Sequence, residues 1–264
     1  MPVITLTTEW KTDDIYHGIL KGKLCRLCPE AIIIDNATGI QAFNISHASF
    51  VIRNTYNNYP KGTIHLICVH SEALRGQDYL IVKAREHLFV GADNGIFNLI
   101  LNAEPDEAVR IDHVESSDEL DIFARAASDL ARGRKPSELG KPVKKISEMI
   151  PLRATIEKDV IIGSVIFIDS YGNAISNITR EVFLRVFEGK EYRILIQSNK
   201  NYTDQILEKY SDVPVGEMLA RFNSLDLLEF AINGANVSEL LDLNIGSVLR
   251  IEVRVKKASP SRLF

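Results

Sequence analysis

Three acids crowd into a short stretch near the start of the chain: Glu9, Asp13 and Asp14. They follow Val3-Ile4-Thr5-Leu6-Thr7, a β-branched and apolar run of the kind that forms strands. From Ile15 onward the apolar residues Ile15, Ile19, Leu20 and Leu24 recur at helical spacing. A strand running into an acidic loop and then a helix sets the acids at the carboxyl edge of the strand. In open α/β sheets that edge is where ligands bind. Asp13 and Asp14 also suit a plainer role, capping the helix and facing its positive end. This stretch alone leaves both readings open. A second candidate is Cys25-x-x-Cys28, a spacing used by zinc sites and thioredoxin-like redox centres. It has no second Cys or His pair at zinc spacing and sits at the end of the first helix, so Cys25, Cys28 and Cys68 read as ordinary thiols and no metal is expected.

The elements that position these residues alternate. Ala31–Asp35 reads as a fully buried strand, and Ser46–Asn57 as a helix with Ser46 as its N-cap. Tyr59-Pro60-Lys61-Gly62 is a turn, and Thr63–Val69 a strand buried on both faces. Tyr79–Lys83 and His87–Val90 are two further strands. The Asn94-Gly95 turn separates the second from the apolar run Ile96–Ile100. Ile122–Arg132 is a helix, with Asp118 or Asp121 at its start. Strand, helix, strand, helix, strand over the first seventy residues predicts an α/β domain with a mainly parallel sheet, at residues 1–132. Residues 133–151 are rich in Gly, Pro and basic residues and read as a linker or extended crossing segment. Beyond Pro151, Val160–Ile168, Arg193–Gln197, Leu227–Ile232 and Val248–Val255 read as short strands, and Val237–Leu241 as a helical turn. They predict a smaller C-terminal β-barrel at 152–264.

The 264 residues carry a net charge of −4, which argues against a broad nucleic-acid surface. Hydrophobic residues make up 45% and charged residues 25%, ordinary for a soluble globular protein. No apolar run is long enough to span a bilayer. The opening MPVITLTTEW has no basic segment followed by an apolar core, and the cysteine count is odd. The expectation is a cytoplasmic protein with no membrane or nucleic-acid partner.

Four segments together resemble one family. They are Thr5–Glu9 with Asp14, Tyr16, Gly18 and Lys21-Gly22; Tyr59–Thr63; Gly91–Gly95; and Asp169-Ser170-Tyr171-Gly172-Asn173 through Asn177-Ile178. Asn223-Ser224 and Ala231-Ile232-Asn233-Gly234 extend the match. In order and spacing they resemble the S-adenosylmethionine hydroxide adenosyltransferases, relatives of the adenosyl-chloride and adenosyl-fluoride synthases. The resemblance implies an α/β domain followed by a β-barrel. It also implies a homotrimer whose sites are shared between subunits, and S-adenosylmethionine as substrate with no added cofactor. The implied reaction is attack by water at the ribose C5′, releasing methionine and adenosine. The sulfonium is already a good leaving group, so such a site must hold the nucleophile in line, partly stripped of water, and help remove its proton.

The resemblance assigns roles position by position. The family's ribose-binding Asp is Glu9 here, and its second acid is Asp14. Phe43 matches an aromatic packed against the ribose or methionine. Asp169 matches the acid that meets the substrate ammonium. Tyr171 matches the ring stacked on adenine and Asn173 the amide that reads its edge. Tyr171-Gly172-Asn173 is also an ordinary turn sequence. Ser224 matches a contact to the methionine carboxylate and Gly234 a backbone contact to adenine. Leu225 replaces an arginine of the halide-using relatives. The hydrolases position water with Asp, Arg and His; here those positions are His70, Gln77 and Asp118, with Arg75 two residues from the Arg position. Two readings follow. His70 and Asp118 form a swapped acid–imidazole pair and the chain hydrolyses S-adenosylmethionine. Alternatively, it binds adenosine or another adenosyl compound without turnover or with altered specificity.

Overall fold

The computed structural model describes residues 1–72, 77–112 and 118–254, and divides the chain into two units, Met1–Pro151 and a second beginning at Leu152. Arg75, Ser116, Ser117 and Val255 lie outside the described residues.

In the first unit, β1 (Val3–Thr8) leads into α1 (Ile15–Leu27), whose N-cap is Asp14. The inward face of α1 is His17, Leu20 and Leu24, whereas Ile15 and Ile19 are exposed despite their helical spacing. Next come β2 (Ile32–Ala37), α2 (Ile45–Thr55) and β3 (Ile64–Cys68). The strand read as fully buried, β2, is only partly so, because it ends the sheet and has a neighbour on one side alone. Asn44, rather than Ser46, caps α2 and accepts from His47 N at 2.9 Å. The unit continues with β4 (Tyr79–Ala84), β5 (His87–Ala92), α3 (Ile96–Leu101), β6 (Glu107–Ile111), α4 (Glu119–Ala131) and β7 (Gly140–Pro142). The Asn94-Gly95 turn starts a helix, with Gly95 at φ 94° as its N-cap.

The seven strands lie in the order β2-β1-β3-β5-β4-β6-β7. The pairings β1/β2, β1/β3 and β3/β5 are parallel, while β4/β5, β4/β6 and β6/β7 are antiparallel. The sheet is therefore mixed rather than mainly parallel. Arg85 and Glu86, at φ 49° and 64°, form the two-residue loop between β4 and β5. A loop that short can join only antiparallel neighbours, and two positive φ values give the twist hairpins need. Neither residue announces such a turn in sequence.

Helices cover both faces of this sheet. On one, Leu20 and Leu24 of α1 and Phe123, Ala127 and Leu130 of α4 pack on Ile4, Leu6, Leu66 and Ile81. On the other, Ala48 and Ile52 of α2 and Phe97 and Ile100 of α3 pack on Ile67, Val82 and Phe89. Burial on both sides explains the unbroken apolar run of β3. The segment 133–151, read as a linker, packs within this unit: β7 pairs with β6, Ile146 is buried, and Ser147 binds Asp93 through N–H (2.9 Å) and Oγ (3.1 Å). A Cβ on Gly140 would meet the Arg110 carbonyl oxygen at 1.8 Å, so the close pairing of β7 requires glycine there.

The second unit contains β8 (Thr155–Glu157), β9 (Val160–Ile168), β10 (Ala174–Thr179), α5 (Arg180–Phe187), β11 (Tyr192–Ile196) and β12 (Ser198–Thr203). It continues with β13 (Met218–Phe222), β14 (Leu227–Ile232), α6 (Val237–Leu240) and β15 (Val248–Val253). Its strands pair antiparallel in the order β12-β11-β15-β9-β10-β14-β13, with β8 beside β9. Leu207 N donates to Ala220 O at 2.9 Å, and β12 approaches β13, so the sheet curls into a nearly closed barrel. Ile161, Val165, Ile194, Leu228, Phe230 and Ile251 fill it, with Phe183 and Phe187 of α5 against them.

Polar groups are also buried in the first sheet. Thr5 Oγ1 lies 2.8 Å from His65 Nδ1, and His65 Nε2 lies 3.2 Å from His87 Nδ1. Burial, reinforced by His87, holds His65 far below the imidazole value of 6.5, at about 3. Between those values the unfolded chain binds a proton that the folded chain excludes. The stabilisation is complete above pH 6.5 and is lost as pH falls toward about 3. The expected slope from His65 is about 1.4 kcal/mol per pH unit. Urea midpoints taken from about pH 7 to about pH 5.5 should fall in the parent protein and flatten in His65→Gln; equal slopes in the two would refute this.

Candidate functional site

Outside the carboxyl ends of β1 and β3 lies a cavity of about 580 Å³ lined by Glu9, Trp10, Tyr16, Phe43, His70, Ser71, Glu72, Tyr79, Asp118 and Glu119. Topology opens it. The chain leaves β1 for α1 on one face and β2 for α2 on the other, so the loops diverge above the strand ends. Glu9 N donates to Cys68 O at 3.0 Å, which seats Glu9 where both strands end.

Glu9 organises this rim. Its Oε2 accepts from Phe43 N at 2.8 Å and from His70 N at 3.3 Å. Phe43 and His70 have φ of 62° and 47°, left-handed values that side chains disfavour. The Phe43 ring meets the His70 ring edge-on at 5.5 Å and is 70% exposed. Asn94 braces His70 from below: its Nδ2 donates to His70 O at 2.9 Å and its Oδ1 accepts from Ile96 N at 3.2 Å. Glu9 Oε2 is thus committed to the backbone, and no hydrogen bond to Oε1 is seen among the described residues.

The other acids play different parts. Asp14 caps α1, accepting from Tyr16 N at 3.0 Å, and is not among the described lining residues; Tyr16 is. Asp118 caps α4, with Oδ1 accepting from Leu120 N at 3.0 Å and Oδ2 3.7 Å from Lys23 Nζ. Lys23 also pairs with Asp121. His70 and Asp118 therefore share a cavity, and the contacts seen for each lead to Phe43 and Glu9 in one case and to Leu120 and Lys23 in the other. Gln77 is half-buried and is not among the described lining residues.

Ser71 and Glu119 were not singled out by sequence. Ser71 is buried and its Oγ donates to Glu119 Oε1 at 3.0 Å, while Oε2 is buried with no hydrogen-bond partner among the described residues. Burial raises the Glu119 carboxyl above its ordinary value; the Ser71 bond opposes this, and Glu72, Asp118 and Glu9 add to the rise. Forty-eight positions separate Ser71 from Glu119, so no local pattern joins them.

The second unit has its own cavity, of about 720 Å³, lined by Asp169, Tyr171, Asn173, Tyr210, Asn233, Gly234 and Asn236 among others. The loop from β9 to β10 folds around Asp169. Its Oδ1 accepts from Tyr171 N and Asn173 N, each at 2.9 Å, and its Oδ2 accepts from Asn173 Nδ2 at 2.9 Å. That leaves Tyr171 80% exposed at the loop tip. Gly172 has φ 80°, and a Cβ there would sit 1.8 Å from Asn236 Oδ1, so the loop lies flat on the α6 cap. Tyr210 OH donates to Glu229 Oε1 at 2.6 Å; burial and that bond push the phenol up to about 12. No pattern in the sequence signals Tyr210 or Asn236 as lining residues, whereas Asn233 lies in the Ala231–Gly234 segment that extends the resemblance.

Asp169 anchors its own loop through both oxygens while also lining the cavity, and Asn173 has spent one amide donor on it. Ser224 and Leu225 lie in the exposed turn before β14, while Gly234, at φ 77°, follows β14. The six-residue strand sets these turns about 20 Å apart, so the cavity holds Gly234 and not Ser224. Among the described residues no group of three His, Cys, Asp or Glu is placed to hold a metal. Cys25 is exposed, and Cys28 and Cys68 are buried. No described helix is long and apolar enough to cross a membrane.

Comparison with known proteins bears on both units. Curated relatives named (R)-S-adenosyl-L-methionine hydrolase come from Thermus thermophilus, 24% identical over 95% of this chain and 100% of the relative, and from Methanocaldococcus jannaschii, 23% identical over 92% and 93%. An uncharacterized conserved protein from Thermotoga maritima has the same fold, with a TM-score of 0.81, 24% identity and coverage of 95% and 99%. A conserved hypothetical protein from Thermus thermophilus matches at a TM-score of 0.74 with 24% identity, over 95% and 100% of the two chains. Residues 4–140 match the model of the SAM hydroxide adenosyltransferase N-terminal domain, and residues 163–250 that of the C-terminal domain. The chain belongs to the SAM hydroxide adenosyltransferase family.

Proposed function

We propose that the protein binds S-adenosylmethionine and hydrolyses it to adenosine and methionine by attack of water at the ribose C5′. The observation that carries this is the match of both family domains, together with full-length relatives named as hydrolases of this substrate. The geometry supports it. In the first unit a carboxylate with one uncommitted oxygen, Glu9, stands beside an exposed aromatic ring, Phe43, as a clamp for ribose hydroxyls and an apolar wall would. In the second, Tyr171 presents an exposed face over a cavity edged by the amides of Asn173, Asn233 and Asn236, suited to a purine. Asp14 acts one step back, by fixing the start of α1 and hence Tyr16. The proposal includes a cytoplasmic homotrimer with each site shared between subunits, and no cofactor beyond the substrate.

A second reading is adenosyl binding without turnover. It is favoured by one observation, the substitution of the family's catalytic positions by His70, Gln77 and Asp118. Product analysis separates the two. Chromatography of incubations with S-adenosylmethionine should show adenosine and methionine in equal amounts, above the uncatalysed rate; calorimetric binding without products would select the second reading, and no binding would exclude both. Tyr171→Ala should weaken adenosine binding about tenfold or more, the size of a lost base stack; unchanged affinity would remove Tyr171 from the site. Light scattering should give the mass of three chains, and a monomer would remove the shared-site arrangement.

A further inference from the structure

We propose that Glu119 is the proton acceptor for the attacking water, with Ser71 holding the carboxylate in place. This rests on the hydrolysis proposed above. Glu119 lines the first-unit cavity, and its Oε2 is buried with no hydrogen-bond partner among the described residues. Oε1 is fixed by Ser71 Oγ at 3.0 Å, and Ser71 is itself buried, so the carboxylate is held at the cavity wall by one hydrogen bond. Asp118, by contrast, spends Oδ1 on the α4 cap and turns Oδ2 toward Lys23. Glu119 sits in the first turn of α4, a rigid thirteen-residue helix, which fixes its reach into the cavity.

The step balances. The water oxygen forms a bond to C5′, and the C5′–S bond breaks with its electron pair going to sulfur. The sulfonium becomes the neutral thioether of methionine, and the water proton passes to the Glu119 carboxylate. Burial supports the assignment, because a carboxyl raised above its ordinary value is a stronger base than an exposed one. Glu9 from the end of β1, Glu72 from the segment after β3, Asp118 from its own cap and the buried Cys68 of β3 act on it electrostatically, and Tyr16, His70 and Tyr79 line the same cavity. Lys23 of α1 is engaged by Asp121 and Asp118.

The test is the pH profile of kcat for S-adenosylmethionine hydrolysis in the parent, Glu119→Gln and Ser71→Ala proteins. Glu119→Gln should lose kcat about a hundredfold or more, with KM little changed and with adenosine affinity kept as the check on folding. Ser71→Ala removes the bond that lowers the Glu119 carboxyl, so the acid limb of its profile should move to higher pH. A parent-like kcat in Glu119→Gln, or an acid limb unmoved in Ser71→Ala, would overturn the assignment to Glu119 while leaving hydrolysis standing. An inactive parent protein would sink both.

Discussion

One carboxylate oxygen holds the rim of the first cavity together. Glu9 Oε2 receives two backbone N–H groups, from Phe43 and His70, that come from loops distant in sequence. Both donors sit in left-handed backbone, which costs a residue with a Cβ roughly 1 kcal/mol. Charge-assisted hydrogen bonds of about 1.5–3 kcal/mol each are large enough to hold them there. With the two backbones fixed, the Phe43 ring is exposed at the edge of the cavity and the His70 ring lies against it.

The second unit repeats the device with a different acid. Asp169 gathers Tyr171 N, Asn173 N and the Asn173 amide into one tight loop and so presents Tyr171 outward. In both units a carboxylate organises backbone first, and the aromatic it exposes is available to a ligand. The same residues that look like ligand-binding acids in sequence are thus partly scaffold. Glu119 differs: it is tied at one oxygen only, to a side chain, and its other oxygen is buried without a partner among the described residues.

Much of the architecture is legible in the residues themselves. The apolar run of β3, the helix started by Asp14, the alternating strand β9 and the largely apolar strand β14 follow from local pattern and are seen as such. The parallel character of the first sheet is legible only for β1, β2 and β3. The hairpin that makes the far half antiparallel turns on Arg85 and Glu86, residues with no turn signature. Residues 140–142 read as linker because Gly and Pro dominate there, and they pair with β6 because a glycine lets the backbones approach. Helix α5 does carry a helical pattern, with Phe183, Val186 and Phe187 on its buried face against the barrel core that also holds β10 and β13.

The sequence by itself determined the strands and helices with strong local patterns, among them β1, α1, β3, α4, β9 and β14, and which residues bear the family's resemblance, because spacing and residue type act locally. It named Glu9, Phe43, His70, Asp118, Asp169, Tyr171 and Asn173. Only the tertiary structure decided what each carboxylate touches. Asp14 and Asp118 became helix caps, Asp169 a loop anchor, and Glu9 a clamp on two backbones, while Glu119 joined Ser71 across forty-eight positions. The reason is physical: a side chain's charge is written in sequence, but its hydrogen-bond partners and its loss of water depend on which distant segments the fold brings beside it.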